Sequence, residues 1–463
     1  MTCHVAVIDI GKTNAKLALV DRNNFTEIAV VTRPNTVRPG PPWPHFDVDG
    51  HWAFLLDALK DFHAAHGIDA ISITTHGACA ALLDAQGDLA APILDYEHSG
   101  PDDLDEAYCA IRPPFSETGS PRLAGGLNIG AQLFWQFHVD PTLKDRTDQI
   151  VTYPQFWGAK LTGQTAMDVT SLGCHTDLWR PQHGDVSALV TTLDISEKFA
   201  PVRKPSDVLG PILPQIAQLT GLPQDTLVYC GIHDSNASLL PYVITENEPF
   251  SVISTGTWVI AMSMGGKAVQ LDPHLDTLLN VTALGRPAPS ARFMGGREHD
   301  LATGGSYPSP TNADVQHILT KSIMLMPAVA PDTGPFKGHQ SGWIGPEPEP
   351  GSGQRGAAVA LYLAMVTAEC LSNIGHTGKV IVEGPFASNR LYLEMLGVAA
   401  NSEVYCASGT TGTSSGAALL VPGPDPTELL QNAPVKFSSA QPADLAAYAD
   451  LWRTTVHKRS DTS

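Results

Sequence analysis

Two stretches of the chain share one rhythm of apolar and polar positions. Residues 5–20 read VAVIDIGKTNAKLALV, and residues 250–263 read FSVISTGTWVIAMS. In each, a β-branched run meets a glycine flanked by small polar residues, and a second apolar run follows. This pattern predicts two strands joined by a short turn, a β-hairpin. Gly11 and Gly256 hold the same place in the two copies. Two such copies, about half a chain apart, predict two domains of similar design, each opening with a hairpin.

Between and after the copies the pattern alternates. Residues 53–66 have helical spacing, and 70–75 form a β-rich run that ends at His76–Gly77. Residues 131–138 and 153–161 read as helical, and 227–231 as a short strand leading to His233–Asp234. Further on, 357–374 is the longest apolar-periodic helix, 380–383 a strand running into Gly384, 391–400 a helix and 403–406 a strand. A Gly/Ala-rich helix begins within 412–420. Strands alternating with helices predict an α/β fold. The Pro/Gly-rich stretches 34–44, 331–353 and 421–426 read as surface loops, because strong patterns resume after them. The domain boundary is expected near 240–248, giving domains 1–245 and 246–463.

Length agrees with two domains, since 463 residues exceed what one core holds. The charge adds a constraint. With 28 basic and 47 acidic side chains the formal net charge is −19, which disfavours nucleic acid and anionic membranes as partners. An anionic substrate must therefore meet local donors, backbone amides and a metal ion. No run of 18 or more apolar residues and no signal-like N-terminus is seen, and the seven cysteines form no C-x-x-C pair. A cytoplasmic protein without zinc or disulfides is expected.

Three places could carry chemistry. At residues 9–13 (DIGKT), Gly11 allows a tight turn that offers amides to a phosphate, with Thr13 as a hydroxyl donor and Lys12 or Lys16 as a cation. Asp9 ends an apolar strand, where a hydrated Mg²⁺ would compensate its charge; as an alternative it caps the turn. A P-loop is excluded, because the residues before Gly11 are a strand and those after it a second strand. At 230–238 (CGIHDSNAS), Asp234 stands where a helix begins. It is either an N-cap or a general base for an alcohol, and the motif alone favours the cap. At 381–389 and 412–418, small-residue turns lead into helices, either to admit a flat nucleoside or to pack helix on helix.

In order and spacing these motifs resemble the FGGY carbohydrate kinases, over nearly the full length. Residues 9–13 resemble the family's first phosphate hairpin, with Lys16 at its usual basic position, and His76–Gly77 its sugar-contacting M-H-G segment. Residues 128–135, 161–163 and 168–171 are similar to its N-x-x-x-Q-L-x-W, L-T-G and D-x-[ST] stretches. Residues 231–234 look like the catalytic G-x-x-D turn, 254–257 the second hairpin, and Gly384, Asn389, Gly412 and Gly416 the adenosine region.

The resemblance implies two RNase H-like, actin-like domains with a cleft. It implies ATP and Mg²⁺, with Asp234 as base and Asp9 toward the metal. It places Gly11, Lys12, Thr13, Lys16, Gly256, Thr257, Gly384, Asn389, Gly412 and Gly416 on the nucleotide, and His76, Gly77, Tyr153, His233 and Asp234 on the sugar. The expected acceptor is a ketose, a 6-deoxy-ketohexose such as L-rhamnulose or L-fuculose first and a pentulose second, because His233–Asp234 looks like the G-H-D form. A non-catalytic actin-like nucleotide-binding protein and a polyol-binding module are the alternatives of other classes, and a homodimer is compatible with all of these. Three departures stand out: Lys12 where the family has Thr, Pro385 after Gly384, and ILDYE at 93–97 where relatives read I-L-W-x-D. The last segment is a candidate part of the sugar pocket.

Overall fold

A computed structural model describes residues 4–407, 412–423, 433–438 and 443–460. It divides into two compact units. The first holds Met1–Thr245, Leu279–Pro287 and Thr411–Gln431, and the second Glu246–Leu278, Ala288–Thr410 and Asn432–Ser463.

In the first unit a mixed sheet runs in the order Val208–Pro211, Leu227–Tyr229, Ala70–Thr75, His4–Ile10, Asn14–Asp21, Thr26–Pro34. The first hairpin lies at its centre, where His4–Ile10 pairs antiparallel with Asn14–Asp21 and parallel with Ala70–Thr75. Strands buried on both faces read as unbroken apolar runs, and Val5 to Ile8 are fully buried. Helix Val48–His66 packs one face with Leu55, Leu59 and Phe62, and the Asp47 side chain caps its start by accepting from Gly50 N at 3.2 Å.

The second unit repeats the scheme. Phe250–Thr255 pairs antiparallel with Val259–Met264 and parallel with Lys379–Glu383. Helix Gly353–Asn373 is apolar nearly all round; 17 of its 21 residues are buried, twelve of them in the second unit's core. Among the described residues it is the one helix long and apolar enough to cross a membrane.

One arrangement differs from the expected division at 245/246. Helix Thr413–Ala418 belongs to the first unit, where Ala417 and Ala418 pack with Val5, Val7, Ile232 and Ala237. Ser72 Oγ donates to Ala417 O at 2.7 Å, and Arg22 Nη2 donates to Val421 O at 2.9 Å. The chain thus returns to its first unit after building most of the second. Of the loop expected at 421–426, residues 424–426 lie outside the described residues.

Candidate active site

The first hairpin turn is tight and braced. Gly11 N donates to Asn14 O at 2.9 Å, Asn35 N to Thr13 O at 2.8 Å, and Asn35 Nδ2 to Gly11 O at 2.8 Å. Asn35 is set in turn by His51, whose Nε2–H donates to Asn35 Oδ1 at 2.8 Å while its Nδ1 accepts from Arg33 at 2.9 Å. That pattern requires a neutral ring. Burial first, and Arg33 second, hold the His51 pKa down to about 4. The braced turn leaves Thr13 exposed at its tip.

Asp9 lies opposite Lys16 in the hairpin register and is nearly buried. Its Oδ2 accepts from Thr413 Oγ1 at 2.6 Å and meets Lys16 Nζ at 3.2 Å, and Lys16 also reaches Glu27 at 3.3 Å. Its Oδ1 takes neither partner. Among the described residues no group of three or more His, Cys, Asp or Glu could hold a metal. A Mg²⁺ carried mainly by phosphate oxygens and water, with one carboxylate from the protein, fits this donor set.

The second turn is built around Asp234. Gly231 has φ +92°, and a Cβ there would come within 2.7 Å of Ile73 O, so only glycine is tolerated. Gln155 Nε2 donates to Cys230 O at 2.8 Å. His233 N donates to Thr170 Oγ1 at 3.0 Å, and Thr170 is anchored on buried Asp168. Ile232–His233 runs parallel to Ala70–Thr75, placing His233 beside Thr75.

Asp234 then opens helix Asp234–Thr245. Its Oδ1 accepts from Ser235 N at 2.6 Å and faces His233 Nε2 at 3.2 Å. Asn236 Nδ2 lies 3.5 Å from His233 Nδ1, which assigns the ring proton to Nε2. Asp234 thereby commits Oδ1 to the Ser235 N–H in the first turn of its own helix and leaves Oδ2 uncommitted. The side chain is 30% exposed, so a ligand can reach it.

His76 follows directly. Its backbone N donates to Ile10 O at 2.8 Å, and its Nδ1–H to Gly77 O at 2.9 Å. Nε2 is buried with no partner. Phe46, Tyr96 and Tyr153 surround the ring at centroid distances of 5.0, 5.2 and 5.1 Å. Burial outweighs the Gly77 hydrogen bond and the pull of Asp234, and lowers the His76 pKa to about 4. The bare Nε2 of a neutral imidazole is an acceptor waiting for an O–H. Gly77 is needed because a Cβ would stand 2.7 Å from His233 Nε2. His76, Gly77, His233 and Asp234 therefore form one contiguous group.

Three expected roles change. Tyr153, expected on the sugar, is buried behind His76, stacked on Phe46 at 5.8 Å; it supports the site from within the core. Lys12, expected on the nucleotide, turns to Asp95 and to Glu97 at 3.1 Å, and its ammonium lies 4.6 Å above the Tyr96 ring. Gly416, expected to make room for adenosine, faces helix Asp234–Thr245, where any Cβ would collide with Ala237 O. It is a helix-packing glycine. Gly412, the N-cap of the same short helix, has open space where a Cβ would point.

The second unit presents Gly256 and Thr257 on an exposed turn, with Gly256 N donating to Trp258 O at 2.9 Å. Gly384 (φ +81°) abuts the carbonyl of Thr255 so closely that no Cβ fits, and Phe386 N donates to Thr255 Oγ1 at 3.1 Å. The second hairpin and the 384–386 turn are thus one assembly. Asn389 caps helix Arg390–Ala400, accepting from Tyr392 N at 3.1 Å. Asn389 also lines a cavity of about 660 Å³ with Tyr307, Asn312, Ser388, Arg390 and Leu391. Sequence reasoning passed over Asn35 as a site residue, and pointed to Asp95 and Tyr96 only as members of the segment 93–97. It also passed over the pair Gly295–Gly296, although two adjacent glycines after an apolar strand are a readable signal. Gly296 N donates to Thr257 O at 3.2 Å.

The chain matches the model of the FGGY family of carbohydrate kinases, N-terminal domain, over residues 4–241, and that of the carbohydrate kinase FGGY, C-terminal domain, over 247–430. A carbohydrate kinase from Novosphingobium aromaticivorans has a similar structure, with a TM-score of 0.89, 34% identity and 99% of both chains covered. An L-fuculokinase of Escherichia coli is 25% identical over 58% of each chain. A xylulose kinase of Escherichia coli is 21% identical over 56% of this chain and 54% of its own. The chain thus spans somewhat over half the length of the curated relatives it matches. With both family domains matched in order, and a full-length structural counterpart at 34% identity, the chain belongs to the FGGY family of carbohydrate kinases.

Proposed function

We propose that the protein transfers the γ-phosphoryl group of ATP to a terminal hydroxyl of a neutral ketose, with Asp234 as the general base. The observation that carries this reading is the uncommitted Oδ2 of Asp234, in one group with the bare Nε2 of His76. The hydroxyl oxygen attacks the phosphorus, its proton passes to Asp234 Oδ2, and ADP leaves. A base already fixed through its other oxygen loses little freedom at that moment. His76 Nε2 accepts a second sugar hydroxyl, which orients the acceptor. Amides of the turns at Gly11 and Gly256, with Thr13 and Thr257, are the donors proposed for the phosphates. Asp9, through Oδ1, is the residue proposed to hold Mg²⁺, which neutralises phosphate charge when bound. The cavity beside Asn389 is the proposed seat of the nucleoside.

The acceptor proposed first is a 6-deoxy-ketohexose, L-fuculose or L-rhamnulose, and the second reading is a pentulose. Relatives named L-fuculokinase and xylulose kinase support the two in turn. A panel of ketoses, polyols and aldoses assayed for ADP release with Mg²⁺-ATP tests the reading. The highest kcat/KM is expected on a deoxyketohexulose or a pentulose; glycerol or an aldose in that place removes the ketose assignment. Asp234→Asn keeps an acceptor for Ser235 N and should retain fold and nucleotide binding, while kcat falls ~10²–10⁴-fold. More than about a tenth of kcat remaining would mean that Asp234 is a cap and nothing more.

A further inference from the structure

Two departures from the family pattern, Lys12 and the segment 93–97, lie far apart in sequence and meet in the fold. Lys12 Nζ contacts Asp95 and lies 3.1 Å from Glu97 Oε2. The same ammonium lies 4.6 Å from the centre of the Tyr96 ring and 5.3 Å from that of Phe46. Those two rings are also the walls of His76, at 5.2 and 5.0 Å. Lys12 therefore sits on the acceptor side of the first hairpin, against the group that ends at Asp234.

The bonding capacity of the cluster is not exhausted. An ammonium has three N–H donors; one serves Asp95, and Glu97 Oε2 is an ion-pair partner at 3.1 Å. Asp95 Oδ1 accepts from Lys12 and from Glu97 N at 3.2 Å, and Oδ2 takes neither. Asp95 is held from behind, with its N donating to Pro44 O at 2.9 Å. One donor and one acceptor remain side by side on fixed backbone.

We propose that Lys12 and Asp95 are specificity residues for the acceptor, a donor–acceptor pair that reads a vicinal diol of a neutral sugar. One hydroxyl accepts from Lys12 Nζ while its neighbour donates to Asp95 Oδ2. His76 Nε2 takes a third hydroxyl nearer the reacting end. One ammonium stands against two carboxylates, Asp95 and Glu97, so the wall carries an excess negative charge and rejects aldonates. This assignment rests on the ketose-kinase reading above.

The test uses the full-length protein, with L-fuculose and D-xylulose and their analogues lacking one hydroxyl of the internal diol. In Lys12→Met the sugar KM should rise by ~10-fold or more, because a site built for a hydroxyl is left unpaired, while the ATP KM stays within about twofold. The penalty should shrink to about twofold for the deoxy analogues, which have already lost the contact. The double variant Lys12→Met/Asp95→Asn leaves no buried orphaned charge, since Glu97 is 64% exposed to solvent, and should show the same split. Calorimetry of sugar binding without nucleotide, on wild type and Lys12→Met, separates the two readings. Sugar binding that depends on Lys12, without turnover in wild type, upholds the diol contact and removes the kinase reading. Turnover with an unchanged sugar KM, or a raised ATP KM alone, overturns the diol contact and leaves the kinase reading standing. Failure of wild type to bind either sugar overturns both.

Discussion

At the scale of the residue, the site depends on neutral imidazoles. Burial lowers His51 and His76 at the site, and His376 between Ser251 and Ser402 in the second unit, to about 4 from an ordinary 6.5. Each such ring takes up a proton on unfolding at any pH between those values. Its contribution to stability is whole above 6.5 and is lost as pH falls toward 4. The urea midpoint should therefore drop between about pH 7.5 and 5, with roughly three protons taken up per molecule for these groups. Imidazole NMR resonances assigned through His51→Gln, His76→Gln and His376→Gln check the cause. They should stay at neutral-ring positions down to about pH 5; titration near 6.5 would remove the bare acceptor proposed at His76. Sequence spacing pointed to His76, Gly77, His233 and Asp234, and the structure gathers them. It could not show that Asp234 divides its two oxygens between the Ser235 N–H and a free lone pair, since that depends on the side-chain rotamer. Nor could it show where Lys12 points, because its partners lie more than 80 positions away.

At the scale of the element, both hairpins were legible because each is a short-range pattern, two apolar runs about a glycine. The α/β alternation was legible for the same reason. The glycines were ambiguous, because sequence shows that a side chain is missing and not which neighbour needs the room. For Gly416 the neighbour is the Ala237 carbonyl. Gly416→Val should therefore lower the stability of the first unit, at or above the upper end of the ~1–3 kcal/mol typical of overpacking. Thermal melts and ATP kinetics together decide the matter. An unchanged melt with a raised ATP KM would return Gly416 to the nucleotide site. The helix Ala443–Ser460 was passed over, although Leu445, Tyr448, Trp452 and Val456 are buried at helical spacing. That signal was local and readable.

At the scale of the molecule, length and the repeated hairpin made two units legible. The return of Thr413–Ala418 to the first unit was not, because it is a contact across some 400 positions, held by Thr413 on Asp9. The division of chemistry between the units follows from what each contains. His76, Asp234, Lys12 and Asp95 all lie in the first unit, whereas the cavity beside Asn389 lies wholly in the second. Ligands that engage those groups slow amide exchange where the backbone is ordered around them. A ketose alone should protect residues 74–79, 93–98 and 231–236 by hydrogen–deuterium exchange and leave 307–316 and 386–391 unchanged. A non-hydrolysable ATP analogue alone should protect 307–316 and 386–391, together with the turn at 11–14. The first hairpin is the informative overlap. Its turn is expected to answer to phosphate, while Lys12 on the same turn is expected to answer to sugar. Protection of 11–14 by nucleotide should therefore survive Lys12→Met, and ketose protection of 93–98 should not. Should the nucleotide leave 307–316 and 386–391 untouched, the nucleoside belongs elsewhere than the Asn389 cavity. Ketose protection confined to the second unit would remove the acceptor from Asp234 altogether.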